Sequence, residues 1–552
     1  MRIVIVGGVA GGMSAATRLR RLQEDAEIII LEKGPYVSFA NCGLPYFVSG
    51  EIVKRENLLV QTPDRLKARF NLDVRVNSEA VAIHGEKKEI LVRNEEGEYA
   101  LSYDKLILSP GARPFVPNTP GLKEAKNVFT MRNVPDVDAV TSFIKENDPK
   151  KAVVIGAGFI GLEMAEALKH KGIHVSVVEM APHVLPPFDE EMAMFIQKEL
   201  KKNGIDVYTG VAASGFSEEG NIVELQNGVK LESDLTIMSV GVLPENALAQ
   251  TAGIALGMRG GILVDESYET SVKDVYAVGD AIIVKNQILS EDTMIPLANP
   301  ANRQGRQVAD VISGYRRKNR GSIGTAIVRV FNLSGASVGL NERQLKMAGK
   351  TYKAVHVTAN DHAGYFPGAT SIYLKLLFSP EDGTIYGAQG VGEKGVDKRI
   401  DIIATAIKGH LTVEDLMELE FTYAPPFGSA KDPVNMLGYA ATNIVEGFSD
   451  NIQWHELEKK REEGAFLLDV RDESEVKRSG SIEGFVNIPL NSLRERLSEI
   501  PKDQEIVVSC ASAQRSYMAE RLLKQKGYKA MNLSGAFNIY SMVKSEEIKY
   551  YV

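Results

Sequence analysis

The chain has 552 residues, of which 44% are hydrophobic and 25% charged, as in soluble globular proteins, and its length predicts about three to four domains. The net charge of −8 argues against a dominant nucleic-acid surface, and no apolar run approaches the roughly 18–20 residues that span a bilayer, so we expect neither a nucleic-acid partner nor a membrane. Only Cys42 and Cys510 occur, too few for a disulfide framework, so each is a candidate reagent. The chain starts directly with a strand-like segment and shows no secretory pattern, which favours the cytoplasm.

The first predicted unit is a strand, a glycine-rich turn, a helix and a second strand, in RIVIVGGVAGGMSAATRLRRL and the apolar run before Glu32. Gly7 and Gly12 occupy the first and third positions of the dinucleotide-binding pattern G-x-G-x-x-G, but Val9 stands at the middle position. The neighbouring glycines still leave room for a phosphate, and Glu32 offers a carboxylate to a ribose. This turn alone is a weak indication of a nucleotide site.

A second unit repeats the pattern in KAVVIGAGFIGLEMAEALKHKG, where Gly156, Gly158 and Gly161 form a complete G-x-G-x-x-G between a strand and a helix. The glycines permit a tight turn and a close approach of the backbone to a pyrophosphate at the helix N-terminus. Glu179 ends the next strand, where a carboxylate accepts a ribose 2'-hydroxyl and repels a 2'-phosphate. The second unit therefore predicts a site for NADH in preference to NADPH.

Later segments complete a two-nucleotide module and then change character. LILSPGARP, residues 106–114, is typical of a strand followed by turns, and TSVKDVYAVGDA delivers Asp280 at a Gly-Asp turn. From about residue 325, the strand patterns IVRVFNL, YKAVHV and IYLKLLF alternate with amphipathic helices, which predicts a separate α+β unit. The polar segment TNIVEGFSDNIQ then leads into about a hundred residues of alternating strand and helix, which predict a small α/β domain.

These motifs together resemble those of the pyridine nucleotide-disulfide reductase family, in which the aspartate at the position of Asp280 holds the flavin ribitol. The resemblance implies FAD in the first nucleotide unit and NADH in the second. The residues implied for FAD are Gly7, Val9, Ala10, Gly11, Gly12, Glu32, Lys33, Ser109, Gly111, Arg132, Asp280, Pro296, Leu297 and Ala298. Those implied for NADH are Gly156, Gly158, Phe159, Ile160, Gly161, Glu179 and Gly241.

Cys42 lies in SFANCGLPY, among turn-forming neighbours that are unlike core residues. A free cysteine is often only a small buried apolar side chain, but a helix after Cys42 would direct N–H dipoles at its sulfur and favour the thiolate. Two-cysteine members of the family have a C-x-x-x-x-C pair here, and this chain has none. The resemblance therefore narrows to the single-cysteine branch, which contains NADH oxidases, NADH peroxidases and coenzyme A-disulfide reductases.

Within that branch, the oxidases and peroxidases have a histidine in the first glycine turn, where this chain has Ala10. The segments SFANC, GGVAGG, AGYFPGA and FTYAPPFGSAKDP resemble those of coenzyme A-disulfide reductases. In that group, two tyrosines from the dimerisation domain of the partner subunit approach the redox cysteine, and Tyr365 and Tyr423 match their positions. The resemblance implies a homodimer in which each phenol donates a proton or a hydrogen bond, although both residues suit an aromatic core equally well.

Coenzyme A is itself an expected ligand, and we expect cationic side chains to bind its phosphates. Guanidinium groups suit phosphate because they offer paired N–H donors, although any one of these charges also suits a solvated surface. The residues proposed for coenzyme A are Ser14, Arg18, Arg21, Ser38, Asn41, Arg69 and Lys431.

The last domain contains Cys510 at the end of the strand EIVVSC, followed by the loop CASAQRS and a helix. Backbone N–H groups of such a loop stabilise a thiolate or a persulfide. The spacing Cys-x-x-x-x-Arg, which ends at Arg515, resembles the rhodanese domain, as does LLDVRDESE. Ser481 and Ala511 stand where rhodaneses often have histidine and arginine, so thiosulfate is expected to be a poor donor.

The resulting fold class is α/β, with tandem Rossmann-like FAD and NAD(P)H domains, an α+β dimerisation domain and a C-terminal α/β rhodanese-like domain. The expected boundaries are 1–112 with 250–322 for the FAD domain, 113–249 for the NADH domain, 323–443 for the dimerisation domain, 444–452 for a linker and 453–552 for the rhodanese-like domain.

We expect an NADH-dependent flavoprotein that reduces coenzyme A persulfide, polysulfide or coenzyme A disulfide. Cys42 attacks the sulfur–sulfur bond, Tyr365, Tyr423 and Arg515 assist, and Cys510 supplies sulfane sulfur. The alternatives are an NADH oxidase or peroxidase and a redox-sensing protein that binds nucleotides without turnover.

Overall fold

The computed structural model describes residues 1–550 and divides the chain into two compact units. The N-terminal unit contains Met1–Met180 and Gly204–Gly324. The C-terminal unit contains Ala181–Asn203 and the chain from Thr325 onward. A short segment from inside the expected NADH domain therefore belongs to the C-terminal unit.

The first third of the chain builds an α/β domain with an antiparallel insertion. Its elements are β1 Arg2–Val6, α1 Ala10–Leu22, β2 Glu27–Leu31, α2 Leu44–Ser49, α3 Pro63–Phe70, β3 Asp73–Arg75, β4 Glu79–His84, β5 Glu89–Asn94, β6 Gly97–Ser102, β7 Lys105–Leu108, β8 Ala112–Pro114, β9 Val128–Phe129 and α4 Val134–Asn147.

The next segment contains the second glycine-turn unit and the elements that follow it. Its elements are β10 Lys151–Ile155, α5 Phe159–His170, β11 His174–Glu179, α6 Glu190–Lys202, β12 Asp206–Thr209, β13 Ala213–Ser217, β14 Ile222–Leu225, β15 Lys230–Glu232, β16 Leu235–Met238, β17 Val242–Pro244, α7 Ala247–Thr251, β18 Val275–Ala277, β19 Val284–Lys285, β20 Asp292–Thr293 and α8 Ala298–Ile312.

The rest of the chain supplies the other two domains. Their elements are β21 Thr325–Val330, β22 Leu333–Gly339, α9 Glu342–Met347, β23 Lys353–Asn360, β24 Ser371–Phe378, β25 Ile385–Gly392, α10 Val396–Lys408, α11 Val413–Glu418, α12 Pro433–Val445, β26 Asn451–Ile452, α13 Leu457–Glu462, β27 Phe466–Asp469, α14 Glu473–Ser479, β28 Ser481–Ile482, β29 Val486–Asn487, α15 Leu490–Leu493, β30 Glu505–Ser509, α16 Gln514–Gln525, β31 Lys529–Leu533, α17 Ala536–Val543 and β32 Ile548–Lys549.

Two five-stranded parallel sheets of the N-terminal unit share the topology of four strands, while the fifth strand comes last in the chain in one sheet and first in the other. Their strand orders are β3-β2-β1-β7-β18 and β12-β11-β10-β16-β9. In each sheet the chain leaves the central strand, β1 or β10, on one side and returns on the other, which creates a crevice at its carboxyl end. Each sheet is accompanied by a three-stranded antiparallel sheet, β4-β5-β6 or β13-β14-β15. The tandem nucleotide-binding architecture expected from the repeated motifs is confirmed.

The C-terminal unit contains two five-stranded sheets, one antiparallel and one parallel, and the two-stranded antiparallel pair β28-β32. The antiparallel order is β21-β22-β25-β24-β23, and the three strands expected from residue 325 onward are all present in it. The parallel order is β26-β31-β30-β27-β29, which suits a small α/β domain. The expected linker at 444–452 is shorter in the structure, because α12 continues to Val445 and Asn451–Ile452 pairs with β31.

A buried group of charges occupies the core of the C-terminal unit. Lys375 on β24 is fully buried and pairs with Asp189 at 2.9 Å, Glu342 at 2.5 Å and Glu191 on α6. Burial opposes the charge of Lys375, but the attraction of the carboxylates outweighs it and raises the lysine's pKa. His356 on β23 contacts the same Glu191 at 3.0 Å.

Two contacts extend this group into the last domain. Trp454 Nε1 donates to Glu191 at 3.2 Å, and His356 Nδ1 lies 2.8 Å from the Ser534 hydroxyl. The last domain, the antiparallel sheet and helix α6 therefore share one buried polar network, which we call the Lys375 network. Within residues 1–550, none of the helices combines the length and the apolar composition needed to cross a bilayer.

Candidate active site

The first glycine turn is shaped by contacts that exclude side chains. Gly7 has φ +98°, and a Cβ added there would lie 2.0 Å from the carbonyl oxygen of Ser109. A Cβ on Gly12 would lie 1.9 Å from the carbonyl oxygen of Gly7. Glu32 closes the turn by accepting hydrogen bonds from the backbone N–H groups of Gly8 and Gly34, each at 2.9 Å.

The second turn has the same construction. Gly156 has φ +99°, a Cβ on Gly161 would lie 1.9 Å from the carbonyl oxygen of Gly156, and the space around Gly158 is open to 4 Å. Glu179 accepts a 2.7 Å hydrogen bond from the N–H of Ala157. Each turn thus offers bare backbone at the start of a helix and a carboxylate beside it, which fits the pyrophosphate and ribose of a dinucleotide.

Ser109 joins the three motifs expected to bind FAD. Its Oγ lies 2.8 Å from the place of a Cβ on Gly11 and 3.7 Å from that of a Cβ on Gly279. Gly279 precedes Asp280, so the first turn, the LSPGARP segment and the Gly-Asp turn meet at one place. Burial raises the pKa of Asp280 to about 6, against the opposing charge of Arg132.

The other residues expected to bind nucleotides lie at the starts of helices, at glycine turns or at exposed positions. Val9 precedes α1 and Ala10 begins it, Leu297 precedes α8 and Ala298 begins it, and Phe159 begins α5. Gly111 and Gly241 have positive φ, and Ile160 is 40% exposed. Lys33 forms a surface ion pair with Glu79 at 2.8 Å.

Cys42 lies in a short 3-10 turn, Asn41–Gly43, directly before α2, and is exposed. Asn41 holds this turn to the domain by donating from Nδ2 to the carbonyl of Arg132 at 3.2 Å. Desolvation raises the pKa of Cys42, and the charges of Glu163 and Asp280 raise it further, while a backbone hydrogen bond in the turn lowers it. The shift is opposite to the one expected from the helix after Cys42, because desolvation and two carboxylates outweigh the N–H dipoles.

The positions proposed for coenzyme A are divided between the two units. On α1, the Ser14 hydroxyl donates to Asn302 at 2.6 Å, and Arg18 pairs with buried Asp310 at 2.7 Å. Asp310 therefore already neutralises much of the charge of Arg18. Ser38 donates its backbone N–H to the carbonyl of Gly8 at 2.7 Å, which ties its loop to the first glycine turn. Arg21, Arg69 and Lys431 are exposed, and Lys431 belongs to the C-terminal unit.

Tyr365 and Tyr423, 58 residues apart in sequence, meet in the C-terminal unit. Their hydroxyl oxygens are 3.3 Å apart, and the residues are 76% and 49% exposed, so they are not the core aromatics that composition also allowed. The hydrogen bond with Tyr423 raises the pKa of Tyr365. The pair therefore presents two neighbouring phenols to solvent.

Arg399 holds the two tyrosine-bearing loops, residues 361–370 and 423–432, and sequence reasoning missed it. Its buried guanidinium donates to the carbonyl of Asp361 at 2.8 Å and to the carboxylate of Asp432 at 2.9 Å. The N–H of Ala363 adds a 2.9 Å hydrogen bond to the carbonyl of Gly428. The sequence does indicate that Arg399 is buried, because this residue stands within the apolar stripe of α10, between positions that face the core.

Cys510 follows β30 and is 1% exposed. The N–H of Phe537 donates to the Cys510 carbonyl at 3.0 Å, which fixes the start of the loop. Ser516, on the first turn of α16, places its hydroxyl 3.4 Å from the Cys510 sulfur and 2.7 Å from the side-chain oxygen of Asn532. Sequence reasoning missed both polar neighbours.

Arg515 forms a two-point ion pair with Glu475, with N···O distances of 2.6 and 2.7 Å. Asp472 lies 3.8 Å from the same guanidinium. The hydrogen bonds from Arg515 hold the pKa of Glu475 at about 2, against the opposing effect of burial. The arginine expected to assist at the loop is therefore neutralised by a carboxylate on α14.

Three known families match successive parts of the chain. Residues 1–305 match "Pyridine nucleotide-disulphide oxidoreductase", residues 325–433 match the dimerisation domain of the same family, and residues 453–542 match "Rhodanese-like domain".

Individual proteins are similar over most or all of the chain. The coenzyme A disulfide reductase of Staphylococcus haemolyticus is 36% identical over 448 residues, which are 80% of this chain and 100% of that protein. The crystal structure of reduced Bacillus anthracis CoADR-RHD has a TM-score of 0.98 and 51% identity, covering 100% of this chain and 99% of the other. An NAD-dependent persulfide reductase from A. fulgidus has a TM-score of 0.92 and 38% identity, covering 98% of this chain and 100% of the other.

Proposed function

Because the chain belongs to the pyridine nucleotide-disulphide oxidoreductase family, which uses FAD and NAD(P)H, we propose that it reduces the sulfur–sulfur bond of coenzyme A persulfide, polysulfide or coenzyme A disulfide. The observation that carries this proposal is the isolation of Cys42. The sequence has one other cysteine, Cys510, in the rhodanese-like domain, so the C-x-x-x-x-C pair of two-cysteine members is absent at Cys42. Cys42 must therefore bind the sulfur of its substrate itself.

The step at Cys42 is a thiol exchange. The Cys42 thiolate attacks the outer sulfur of coenzyme A persulfide, the sulfur–sulfur bond breaks, and coenzyme A leaves as a thiolate while Cys42 becomes a persulfide. Two electrons then cleave the sulfur–sulfur bond of Cys42–S–SH and give the free Cys42 thiolate and hydrosulfide, which keeps the proton of the outer sulfur. FAD, when bound, supplies these electrons and takes them from the nicotinamide. The raised pKa of Cys42 means that its proton has to be removed before attack.

The tyrosine pair supplies proton chemistry for the leaving group. Tyr365 and Tyr423 share a hydrogen bond, so one phenol donates to a departing thiolate while the other stabilises the donor. We place this pair beside the Cys42 of a second copy of the chain, as the matched dimerisation domain supports. A monomeric mass in solution for the active enzyme would contradict this arrangement.

NADH is the proposed hydride donor. Glu179 lies at the end of β11, beside the second glycine turn, and accepts an N–H from that turn. Its carboxylate accepts the 2'-hydroxyl of an NADH ribose and repels the 2'-phosphate of NADPH.

Cys510 is the proposed source of sulfane sulfur. The Cys510 thiolate, at the start of the loop between β30 and α16, attacks the outer sulfur of a donor and becomes a persulfide. It then passes that sulfur to the thiol of coenzyme A. A fused sulfur carrier favours persulfide over disulfide as the substrate.

The test is anaerobic NADH oxidation with coenzyme A persulfide, coenzyme A disulfide and inorganic polysulfide in turn, with sulfide and free thiol measured as products. We expect coenzyme A persulfide to give the highest kcat/KM. Cys42→Ser is expected to stop sulfide release, whereas Cys510→Ser is expected to retain reduction of coenzyme A persulfide added directly.

Full sulfide release by Cys42→Ser would refute this mechanism. Equal NADH consumption with oxygen alone would instead identify an NADH oxidase, an assignment that Ala10 disfavours because it supplies no acid or base beside the flavin site.

A further inference from the structure

The loop from Cys510 to Arg515 contains one charged side chain, Arg515, and that charge is already engaged. Glu475 binds both terminal nitrogens of the guanidinium, and Asp472 stands 3.8 Å away. Two carboxylates therefore surround one cation beside the sulfur-carrying loop, and the group is negative overall. The low pKa of Glu475 keeps it ionised throughout the physiological range.

Arg515 ends the loop that begins at Cys510, and the next residue, Ser516, places its hydroxyl 3.4 Å from the Cys510 sulfur. An arginine with free N–H groups at this place would attract an anionic sulfur donor through paired hydrogen bonds. With its N–H groups bound by Glu475, the same arginine offers little attraction, and Glu475 and Asp472 repel a donor with two negative charges. The loop supplies no replacement cation, because residues 511–514 are uncharged.

We propose that Glu475 determines the donor specificity of the rhodanese-like domain by neutralising Arg515, so that Cys510 accepts sulfane sulfur from organic persulfides in preference to the thiosulfate dianion. This inference rests on the proposed role of Cys510 as a sulfur carrier. With thiosulfate, the Cys510 thiolate bonds to the outer sulfur, the sulfur–sulfur bond breaks, sulfite leaves and Cys510 becomes a persulfide. Cyanide then removes that sulfur as thiocyanate and restores the thiolate.

Glu475→Gln tests the proposal without removing the local fold. Glu475 also accepts the backbone N–H of Asp472 at 3.0 Å at the start of α14, and a glutamine oxygen retains this bond. We expect kcat/KM for thiosulfate, measured as thiocyanate formed by the full-length enzyme, to rise about tenfold. With methanethiosulfonate, which carries a single negative charge, we expect a rise of about threefold.

Glu473→Gln is the matched control, because it removes the same charge from the same helix at an exposed position without contact to Arg515. We expect Glu473→Gln to leave both donors unchanged. Asp472→Asn, which keeps a good helix cap, is expected to give a smaller rise in the same direction as Glu475→Gln. At about 1 M salt, where the Debye length is about 3 Å, the gains are expected to shrink.

Several outcomes would overturn the proposal. It is wrong if Glu475→Gln slows both donors, or speeds both equally regardless of salt, since a structural role would do either. NADH-driven sulfide release from coenzyme A persulfide, measured in the same preparations, separates this failure from failure of the proposed function. Thiocyanate that persists in Cys510→Ser would show that the sulfur is carried elsewhere and would also overturn the inference.

Discussion

Glu32 and Glu179 show how one side chain performs the same task twice. Glu32 directly follows β2 and Glu179 is the last residue of β11, and each accepts a backbone N–H of the neighbouring glycine turn. A carboxylate held in this way has a fixed direction and can accept a hydrogen bond from a ribose hydroxyl. The proposed preference for NADH therefore depends on one residue, Glu179.

Glu179→Gln is expected to weaken that preference. The amide retains the hydrogen bond from Ala157 but no longer repels a 2'-phosphate, so the ratio of kcat/KM for NADPH to that for NADH should rise about tenfold. Glu146→Gln, the same charge change at an exposed site on α4, serves as the control. An unchanged ratio would show that other groups select the nucleotide.

Asp280 makes the flavin-free protein sensitive to pH. Its folded pKa of about 6 lies above the ordinary value near 3.9, so the folded state retains the proton to higher pH than the unfolded state does. The carboxylate therefore destabilises the folded state progressively between about pH 4 and pH 6, by about 3 kcal/mol at higher pH.

Asp280→Asn should consequently raise the thermal unfolding midpoint of the flavin-free enzyme at pH 8 by a few degrees and have less effect at pH 4.5. Unfolding curves of both proteins at the two pH values test this. A gap of the same size at both pH values would show that the carboxyl group does not titrate as stated.

At this scale, sequence reasoning recognised residues whose role depends on neighbours along the chain. The glycines and glutamates have a fixed spacing from one strand and one helix, so their place in the fold follows from local pattern. The roles of Glu475 and Ser516 depend on contacts with Arg515 and Cys510, and these contacts form only in the folded domain. The raised pKa of Cys42 has the same origin, because desolvation by the folded chain is its largest cause and the charges of Glu163 and Asp280, from distant segments, raise it further.

At the scale of elements, helix α10 and its Arg399 organise the two tyrosine-bearing loops. One guanidinium binds a backbone carbonyl of the first loop and the carboxylate of Asp432 at the end of the second. The separation of the two phenols thus depends on a buried ion pair behind them.

Arg399→Met is expected to destabilise the C-terminal unit by about 3–5 kcal/mol, because Asp432 would remain buried with no cation nearer than Lys398, 3.9 Å away. The loops should become sensitive to protease in the native state, and kcat should fall, as we also expect for Tyr423→Phe. Lys394→Met, which removes an exposed cation next to the same helix, is the control. Protease resistance equal to that of the unaltered enzyme would contradict the positioning role.

The strands of the antiparallel sheet were predictable from their long apolar runs, whereas the end of the linker was not. Asn451–Ile452 is a two-residue strand held by pairing with β31 more than 70 residues later. A segment that short has no periodicity of its own, so only the partner strand reveals it.

At the scale of the whole molecule, the Lys375 network connects three regions that the sequence separates. A buried cation with three carboxylates is stable only while every member is present. Neither the strand pattern around Lys375 nor the sequence of α6 indicates which charges pair, so the expected NADH domain, 113–249, contains the whole of α6.

Lys375→Met should lower the free energy of unfolding of the C-terminal unit by about 3–5 kcal/mol, since it leaves Asp189, Glu191 and Glu342 buried without their cation. Because Glu191 also binds Trp454, the last domain should loosen, and Cys510 should react faster with a thiol reagent in the native enzyme. Lys353→Met, at an exposed site on the neighbouring strand, should change neither property. Unaltered Cys510 reactivity in Lys375→Met would show that the Lys375 network does not stabilise the last domain.

The membership of α6 in the C-terminal unit also affects folding during translation. Glu191 leaves the ribosome 184 residues before Lys375 and 263 residues before Trp454. At about 5–20 residues per second, the helix waits about 10–40 s for its cation. During translation its carboxylates must remain hydrated, so the newborn chain carries an amphipathic helix without a partner until most of the protein has been made.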